Sequence, residues 1–225
     1  MEYLPNGYSL DTAGGSFPLS TDSMLLADFV RLPKNARVLD LGSGGATLGL
    51  LLCARDASCC VTGIECNEAA HAIAEVNIAR NGLEARLSSI CGDLRQFSDG
   101  LFHCCLSNPP YFSGGPASKH HATARREDQC CPAELFGAAA RNLKFGGDFF
   151  LVHKPERLAE LIACGAKENL EAKRLRLVRH KEGGQIAFIL LAFRKGGKPG
   201  LIIEEAALFG KDDHPTDYYK AVYHL

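Results

Sequence analysis

Residues 36–55, ARVLDLGSGGATLGLLLCAR, decide the fold of this chain. The stretch opens with a short apolar run, Ala36 to Leu41, that is typical of a buried strand. It closes with an apolar helical run, Gly45 to Arg55, and the glycine-rich turn at residues 42–45 connects the two. A strand that passes through a glycine turn directly into a helix is the opening unit of a parallel α/β sheet.

The same alternation continues along the chain. Further strands are predicted at Val61 to Glu65, Ala85 to Cys91, Phe102 to Ser107 and Gly147 to His153, and helices at Glu68 to Asn81, Pro132 to Leu143 and Glu156 to Ala166. Two last strands, Ala172 to His180 and Gln185 to Phe193, are joined by the turn KEGG, so one of them runs antiparallel. Before the first strand, Asp22 is the expected N-cap of a short helix, Ser23 to Val30. The fold of residues 201–225 stays open.

The composition favours one large domain spanning residues 1–225, with 46% hydrophobic residues to build its core. The 25 basic and 26 acidic residues balance, so a nucleic acid or a membrane would have to be met by a local patch. No apolar run approaches the roughly 18 residues of a membrane span, and the first ten residues do not resemble a signal peptide. We therefore expect a soluble, cytoplasmic protein, either a monomer or a weak dimer.

The ten cysteines do not predict a disulfide framework. Six of them form the adjacent pairs Cys59-Cys60, Cys104-Cys105 and Cys130-Cys131. Neighbouring residues in a strand point to opposite faces, so such pairs suit neither a bridge nor a zinc site. We expect reduced, mostly buried thiols and no metal centre, and redox or metal chemistry is the alternative.

Polar side chains follow several of the predicted strands. Open α/β sheets bind ligands beyond the carboxyl ends of their strands, where the glycine turn offers free N–H groups. Glu65 ends the second strand 23 residues after Gly42, at about the distance of an acidic residue that binds ribose hydroxyls. Asp93 follows the third strand and could accept a hydrogen bond from an adenine amino group. The alternatives are a solvated strand-end carboxylate for Glu65 and a plain turn residue for Asp93.

The fourth strand runs into Ser107-Asn108-Pro109-Pro110-Tyr111. Two successive prolines fix φ and lack N–H groups, so this backbone leaves the sheet in an extended form with free carbonyls. A carboxamide oxygen and an aromatic face lie beside those carbonyls, and the segment could hold a planar group that carries an NH2. The alternative is an ordinary Asn-Pro turn.

Taken together, the turn that begins at Asp40, the Asp93 site and the Asn-Pro-Pro-Tyr segment resemble S-adenosylmethionine-dependent methyltransferases of the seven-stranded class. The G-x-G-x-x-G spacing of a dinucleotide oxidoreductase is missing. The resemblance implies a Rossmann-like α/β sheet in the order 3-2-1-4-5-7-6, with strand 7 antiparallel and helices on both faces. It also implies S-adenosyl-L-methionine as cofactor, held by Asp40, Gly42, Gly44, Glu65, Cys66, Asp93, Leu94 and Asn108. The third glycine of the family pattern is Ala46 here, and its effect on cofactor binding stays open.

In that family the tetrapeptide marks methyl transfer to a planar nitrogen, either an exocyclic base amine or a glutamine amide. The resemblance makes Asn108, Pro109, Pro110 and Tyr111 the catalytic residues. The Asn108 oxygen and the Pro109 carbonyl would each accept one N–H of the amine and aim its lone pair, while Tyr111 stacks on the ring. No general base is required.

Within the class, the sequence is most similar to bacterial enzymes that methylate N6 of adenine 37 in a valine tRNA. The similar stretches are residues 17–19, 22–27, 108–112, 124–127 and 152–158. Release-factor glutamine methyltransferases share the tetrapeptide but usually carry a sizeable helical domain ahead of the sheet, and here an extension of residues 1–34 precedes it. The resemblance therefore favours tRNA over the alternatives, an rRNA base, a protein glutamine amide, or RNA binding without catalysis.

Residues 113–131 form a long loop directly after the tetrapeptide, and we expect it to meet the substrate. The predicted substrate contacts are Tyr111, Phe112, Lys119, Arg125 and Arg126. A second basic run lies on the predicted edge strand between Lys173 and Lys181. That run either contacts tRNA or protects the edge from aggregation.

Overall fold

A computed structural model describes residues 2–4, 7–12, 19–110 and 130–224. Its strands are β1 (Glu2–Tyr3), β2 (Ser9–Leu10), β3 (Arg37–Leu41), β4 (Cys60–Glu65), β5 (Leu87–Cys91), β6 (Phe102–Ser107), β7 (Leu143–His153), β8 (Leu170–Lys181), β9 (Ile186–Lys195) and β10 (Ile202–Phe209). Its helices are α1 (Thr21–Phe29), α2 (Thr47–Arg55), α3 (Glu68–Arg80), α4 (Pro132–Asn142), α5 (Leu158–Lys167) and α6 (Asp217–Tyr223). None of the helices in these ranges is long and apolar enough to cross a membrane.

Eight strands form the main sheet, in the order β10-β8-β9-β7-β6-β3-β4-β5. Strand β9 is antiparallel to both of its neighbours, β7 and β8, and the other pairings in this sheet are parallel. When the seven predicted strands are numbered along the chain, this order is 3-2-1-4-5-7-6 with one further strand beyond strand 6. β1 and β2 form a separate two-stranded antiparallel sheet.

The additional strand corrects two expectations. β10 pairs in parallel with β8, from Ile202 beside Arg174 to Phe209 beside Lys181, so the sheet has eight strands and β8 is not its edge. The sequence of β10, IIEEAALF, places similar residues side by side and lacks the alternation that marks a half-buried strand. The segment after β10 forms α6, which begins where the Thr216 side chain accepts a hydrogen bond from Tyr219 N.

Helices cover both faces of the sheet. Along β3, Val38 packs into the core formed with α1, α2 and α3, whereas Leu39 packs into the core formed with α4 and α5. Cys104 and Cys105 in β6 divide between the same two cores. Strands buried on both faces explain why the central runs of the sequence are continuously apolar.

Helix α1 begins two residues earlier than predicted. Ser20, not Asp22, is the N-cap, because Ser20 is extended (φ −106°) and its side chain accepts from Ser23 N. Asp22 lies in the first turn, where a carboxylate interacts favourably with the positive end of the helix dipole. The Phe29 ring, near the end of α1, packs edge-on against Phe150 of β7, with 6.3 Å between ring centroids. This contact seats the helix on the sheet.

The ten cysteines are free thiols, but the expectation that most are buried was wrong. Only Cys53, Cys59, Cys104 and Cys105 are buried, and the other six are exposed or half-buried. Several of the exposed ones, such as Cys60, Cys66 and Cys91, lie at strand ends, where the sheet no longer covers both sides of the chain.

Candidate active site

The carboxyl ends of β5, β4, β3 and β6 lie side by side. They form the edge of the sheet that runs across the strand ends, as distinct from an edge strand. Residues at these ends are direct neighbours, with Leu41 beside Ile64 and Glu65 beside Cys91. This edge therefore collects the predicted residues Asp40, Gly42, Gly44, Glu65, Cys66, Asp93, Leu94, Asn108, Pro109 and Pro110. The predicted residues Tyr111, Phe112, Lys119, Arg125 and Arg126 lie outside the described part of the chain.

The glycine turn is fixed to the end of β4 and leaves open space above it. The N–H groups of Gly42 and Ser43 donate to the carbonyl of Ile64, at 2.9 and 3.1 Å. Gly42 (φ 78°) and Gly44 (φ 52°) have left-handed backbone angles that glycine adopts without strain. A Cβ built on either residue meets no described atom within 4 Å. The turn thus forms a cradle that a ligand can approach closely.

Ala46 occupies the third position of the glycine pattern with a glycine-like backbone. Its φ of 67° is left-handed, and it is the N-cap of α2 without a capping side chain. The methyl group is buried. An L-residue in this conformation is strained by roughly 1–2 kcal/mol, so the chain keeps the glycine geometry at an energetic cost.

Asp40 is a buried acid at the base of this cradle. The residue is only 1% exposed, and neither carboxyl oxygen has a hydrogen-bond partner among the described residues. Burial, with the nearby Glu65 carboxylate, raises the pKa of Asp40 to about 8. Buried polar atoms in proteins are almost always paired, so an unpaired acid beside an open cradle fits a ligand that forms hydrogen bonds there.

Glu65 links the end of β4 to the cradle. One carboxylate oxygen accepts from Gly44 N at 2.9 Å, and the other accepts from Asn67 N at 2.8 Å. Each oxygen retains a lone pair for a further donor. Cys66 follows directly and is exposed at the same edge.

Asp93 is held by its own turn. Its carboxylate accepts from Arg95 N at 2.8 Å and forms an ion pair with the Arg95 guanidinium at 2.7 Å. These contacts hold the pKa of Asp93 below its usual range. The side chain is therefore an ionised acceptor, although a donor from a ligand would share it with Arg95. Leu94 packs against the core on the α4 side of the sheet.

Asn108 leaves the sheet beside the glycine turn. Just before it, the buried Ser107 hydroxyl donates to the carbonyl of Leu41 at 2.7 Å, which joins the end of β6 to the end of β3. The Asn108 side-chain nitrogen donates to the Ser23 hydroxyl of α1 at 3.0 Å. Pro109 is buried and Pro110 is exposed. The first three residues of the tetrapeptide thus border the cradle.

Sequence reasoning missed Asn77, in the middle of α3. This fully buried residue donates to the carbonyl of Gly45 at 2.9 Å and accepts from Asp11 N at 2.7 Å. It therefore fastens the glycine turn to the segment that follows β2. The signal was an asparagine inside a predicted helix, at a position flanked by apolar residues.

The contact between Ser23 and Asn108 was missed as well. Ser23 was predicted as the first residue of a helix and lies in one of the stretches that resemble the family, but no role was assigned to it, and it precedes Asn108 by 85 residues. Nothing in the local pattern indicates which strand end that helix approaches.

The basic run of β8 does not form an open cationic surface. Four of its five Lys and Arg side chains are paired with acids, mostly from β10: Arg174 and Arg176 with Glu204, Arg179 with Glu205, and Lys181 with Asp213. The fifth, Lys173, donates to the carbonyl of Lys198 at 2.9 Å. An adjacent cavity of about 520 Å³, between β10 and α6, is lined by Glu182, Glu204, Glu205 and Asp217 together with Arg176. Because acids dominate this region, it is poorly suited to phosphates, and tRNA contact by this run is not supported.

The family model of the methyltransferase small domain matches residues 18–171. A Shewanella protein (strain W3-18-1) named tRNA1(Val) (adenine(37)-N6)-methyltransferase is 27% identical over 195 residues, 82% of each chain. The protein of that name from Photobacterium profundum is 27% identical over 192 residues, 82% of this chain and 80% of its own. One from Bacteroides fragilis is 29% identical over 182 residues, 78% of this chain and 76% of its own.

Solved structures share the fold. A protein from Agrobacterium tumefaciens, described as a predicted O-methyltransferase, aligns with a TM-score of 0.77 at 21% identity over 91% of this chain and 96% of its own. A putative class I S-adenosylmethionine-dependent methyltransferase from Listeria monocytogenes aligns with a TM-score of 0.62 at 16% identity, over 84% and 67%. At these identities the likeness shows the class I methyltransferase fold.

Proposed function

This chain belongs to the methyltransferase small domain family, and from that membership we propose that it transfers a methyl group from S-adenosyl-L-methionine to N6 of an adenine in a tRNA anticodon loop. Support for the substrate comes from relatives that match over about four fifths of both chains and are named for that reaction. An anticodon-loop base is already unpaired, so extruding it into a pocket costs little. A tRNA substrate also implies a cytoplasmic place of action.

One observation carries the proposal: the segment Asn108-Pro109-Pro110, which would bind the amine, starts beside the glycine cradle. The Ser107 hydroxyl bonds to Leu41, the residue immediately before Gly42, at 2.7 Å. Asn108 therefore leaves β6 within one residue of that link. A group held by Asn108 and a group held on the glycine turn would be neighbours, as methyl transfer between them requires.

The residues at this edge fit the cofactor. The unpaired Asp40 carboxyl and the open space above Gly42 and Gly44 suit its polar portion, and Glu65 suits its ribose hydroxyls. Asp93 and Leu94 would flank the adenine, with Cys66 and Asn108 completing the site. The chemistry that the cofactor supplies when bound is a methyl group on a positively charged sulfur, with S-adenosyl-L-homocysteine as the product.

The role of the protein is to position the amine. The lone pair of an adenine amine is delocalised into the ring, which makes it a poor nucleophile. The Asn108 oxygen and the Pro109 carbonyl each accept one N–H, favour a pyramidal nitrogen and stabilise the positive charge that develops on it. Pro110 keeps this backbone extended, and the role that the family resemblance implies for Tyr111 is to stack on the base.

The test is incubation with labelled cofactor and separate RNA and protein fractions from a strain that lacks the enzyme, followed by nucleoside and amino-acid mass analysis. We expect N6-methyladenosine in tRNA. The variant Asn108→Ala should lose transfer while its affinity for the cofactor, measured by calorimetry, stays nearly unchanged. Methylglutamine in the protein fraction would overturn the RNA assignment, and a comparable rate in the variant would overturn the role of Asn108.

A further inference from the structure

Asn108 is the end of a chain of hydrogen-bonded side chains that starts on α1. Its amide nitrogen donates to the Ser23 hydroxyl at 3.0 Å, which lies 3.1 Å from the Ser20 hydroxyl. The Ser20 hydroxyl in turn donates to the Asp22 carboxylate, which also accepts from Ser23 N at 2.9 Å. We call Asp22, Ser20 and Ser23 the α1 relay.

The carboxylate fixes the direction of every bond in the relay. An ionised carboxylate can only accept, so the single proton of the Ser20 hydroxyl is committed to Asp22. The Ser20 oxygen must then receive the proton of Ser23. This leaves the Ser23 oxygen as an acceptor, which selects the nitrogen of the Asn108 amide as its partner.

This direction decides which end of the Asn108 amide faces the substrate. An amide whose nitrogen is bound to Ser23 carries its oxygen on the opposite branch. A flipped amide would put an oxygen against Ser23 and present NH2, a donor, to an amine that itself needs acceptors. Only the orientation set by the relay matches the proposed chemistry.

Burial strengthens the hydrogen bonds of the α1 relay. Ser23 is 7% exposed and Asp22 is 9% exposed, so water has little access to replace their bonds. Hydrogen bonds shielded from water are stronger, and each one polarises the next. The start of α1 is also anchored, because Tyr223 of α6 bonds from its hydroxyl to the Thr21 hydroxyl at 3.1 Å.

We propose that Ser23 is a positioning residue for methyl transfer, which sets the Asn108 amide with its oxygen toward the substrate amine. The proposal rests on the proposed function for its catalytic consequence. The capping of α1 does not need this hydroxyl, because the N-cap bond runs from the backbone N–H of Ser23 to the side chain of Ser20. Removing the hydroxyl therefore separates amide positioning from helix formation.

The test compares Ser23→Ala, Ser23→Thr and the matched control Ser58→Ala. Ser58→Ala also removes a bonded hydroxyl, but that hydroxyl donates to Asp56 and accepts from Asn35 N, in the turns before β4 and β3. For Ser23→Ala we expect kcat to fall about tenfold, the rate equivalent of one hydrogen bond, with cofactor Kd and RNA KM within about twofold of wild type. Ser23→Thr keeps the acceptor oxygen and should restore most of kcat, and Ser58→Ala should leave kcat unchanged.

A second measurement does not depend on activity. In the ligand-free wild type, the Asn108 side-chain NH2 should show an NMR signal protected from hydrogen exchange, and Ser23→Ala should lose that protection. If the alanine variant does not fold, Ser23→Cys replaces it, because a thiol of similar size is only a weak acceptor.

The outcomes separate the two proposals. If wild type methylates no RNA, the proposed function fails, while the NMR comparison still decides how Asn108 is held. If wild type is active and Ser23→Ala keeps kcat within twofold, or if KM rises with kcat unchanged, the positioning role of Ser23 is overturned.

Discussion

Replacing Asp40 with asparagine should change how stability depends on pH. The buried carboxyl has its pKa raised from 3.8 to about 8. Between these values the native state keeps a proton that the unfolded state releases. The stabilisation linked to this proton is fully present below pH 3.8 and is lost as the pH rises toward 8. The asparagine in the variant does not titrate, so this dependence should vanish.

The expected size of this pH dependence follows from the shift in the pKa of Asp40. Between pH 5 and pH 7 the native carboxyl is largely protonated and the unfolded one is ionised, so the slope is about 1.4 kcal/mol per pH unit. The free energy of unfolding of the wild type, relative to Asp40→Asn, should therefore fall by up to about 3 kcal/mol over this interval. Urea denaturation of the ligand-free proteins at pH 5, 6 and 7 measures it.

Asp93→Asn is the matched control. The pKa of Asp93 is lowered by Arg95, so its carboxyl is ionised in both the native and the unfolded state above pH 5. The free energy of unfolding of Asp93→Asn should therefore differ from that of wild type by a constant amount across the same pH interval. If the Asp40→Asn curve also runs parallel to wild type, the buried carboxyl is ionised in the native state and the reasoning about Asp40 fails.

Three further changes test other parts of the structure. Ala46→Gly should raise the free energy of unfolding by about 0.5–1 kcal/mol in urea denaturation, because φ is 67° there; a destabilised variant would contradict the strain at this position. Gly63→Ala would place a Cβ 2.5 Å from the Ser43 hydroxyl oxygen, so the glycine turn must shift and calorimetry should show about tenfold weaker cofactor binding. Lys181→Ala should leave tRNA affinity in filter binding within about twofold, since Asp213 already pairs this ammonium at 2.7 Å; a large loss would restore the basic run as an RNA contact.

The sequence was informative where structure depends on local pattern. Phe102 to Ser107 was predicted with the boundaries that the strand has, because a largely apolar run of six residues ends just before Asn108-Pro109. The hairpin of β8 and β9 was predicted from the turn KEGG between two strand-like runs. The edge of the sheet was not predicted, because β10 has no strand periodicity of its own and its place depends on pairing with the earlier strand β8.

The residues of the candidate site also divide into those that a local sequence pattern reveals and those that only the three-dimensional structure reveals. Asp40, Gly42 and Glu65 could be found because each lies at or directly after the end of a predicted strand. Asn77 and Ser23 could not be assigned roles, because what they do depends on which backbone or side chain lies opposite them in space. Asn77 meets Asp11 across 66 positions of sequence, and Ser23 meets Asn108 across 85.

These long-range bonds connect residues before β3 to the candidate site, a connection that their position in the sequence conceals. Asp11 is bonded to Asn77, which holds the carbonyl of Gly45, and Ser23 is bonded to Asn108. The glycine turn is thus fastened to Asp11, and Asn108 is fastened to Ser23, and both of these residues precede β3. Ser23→Ala should therefore lower kcat while cofactor affinity stays nearly unchanged, although Ser23 lies at neither strand end.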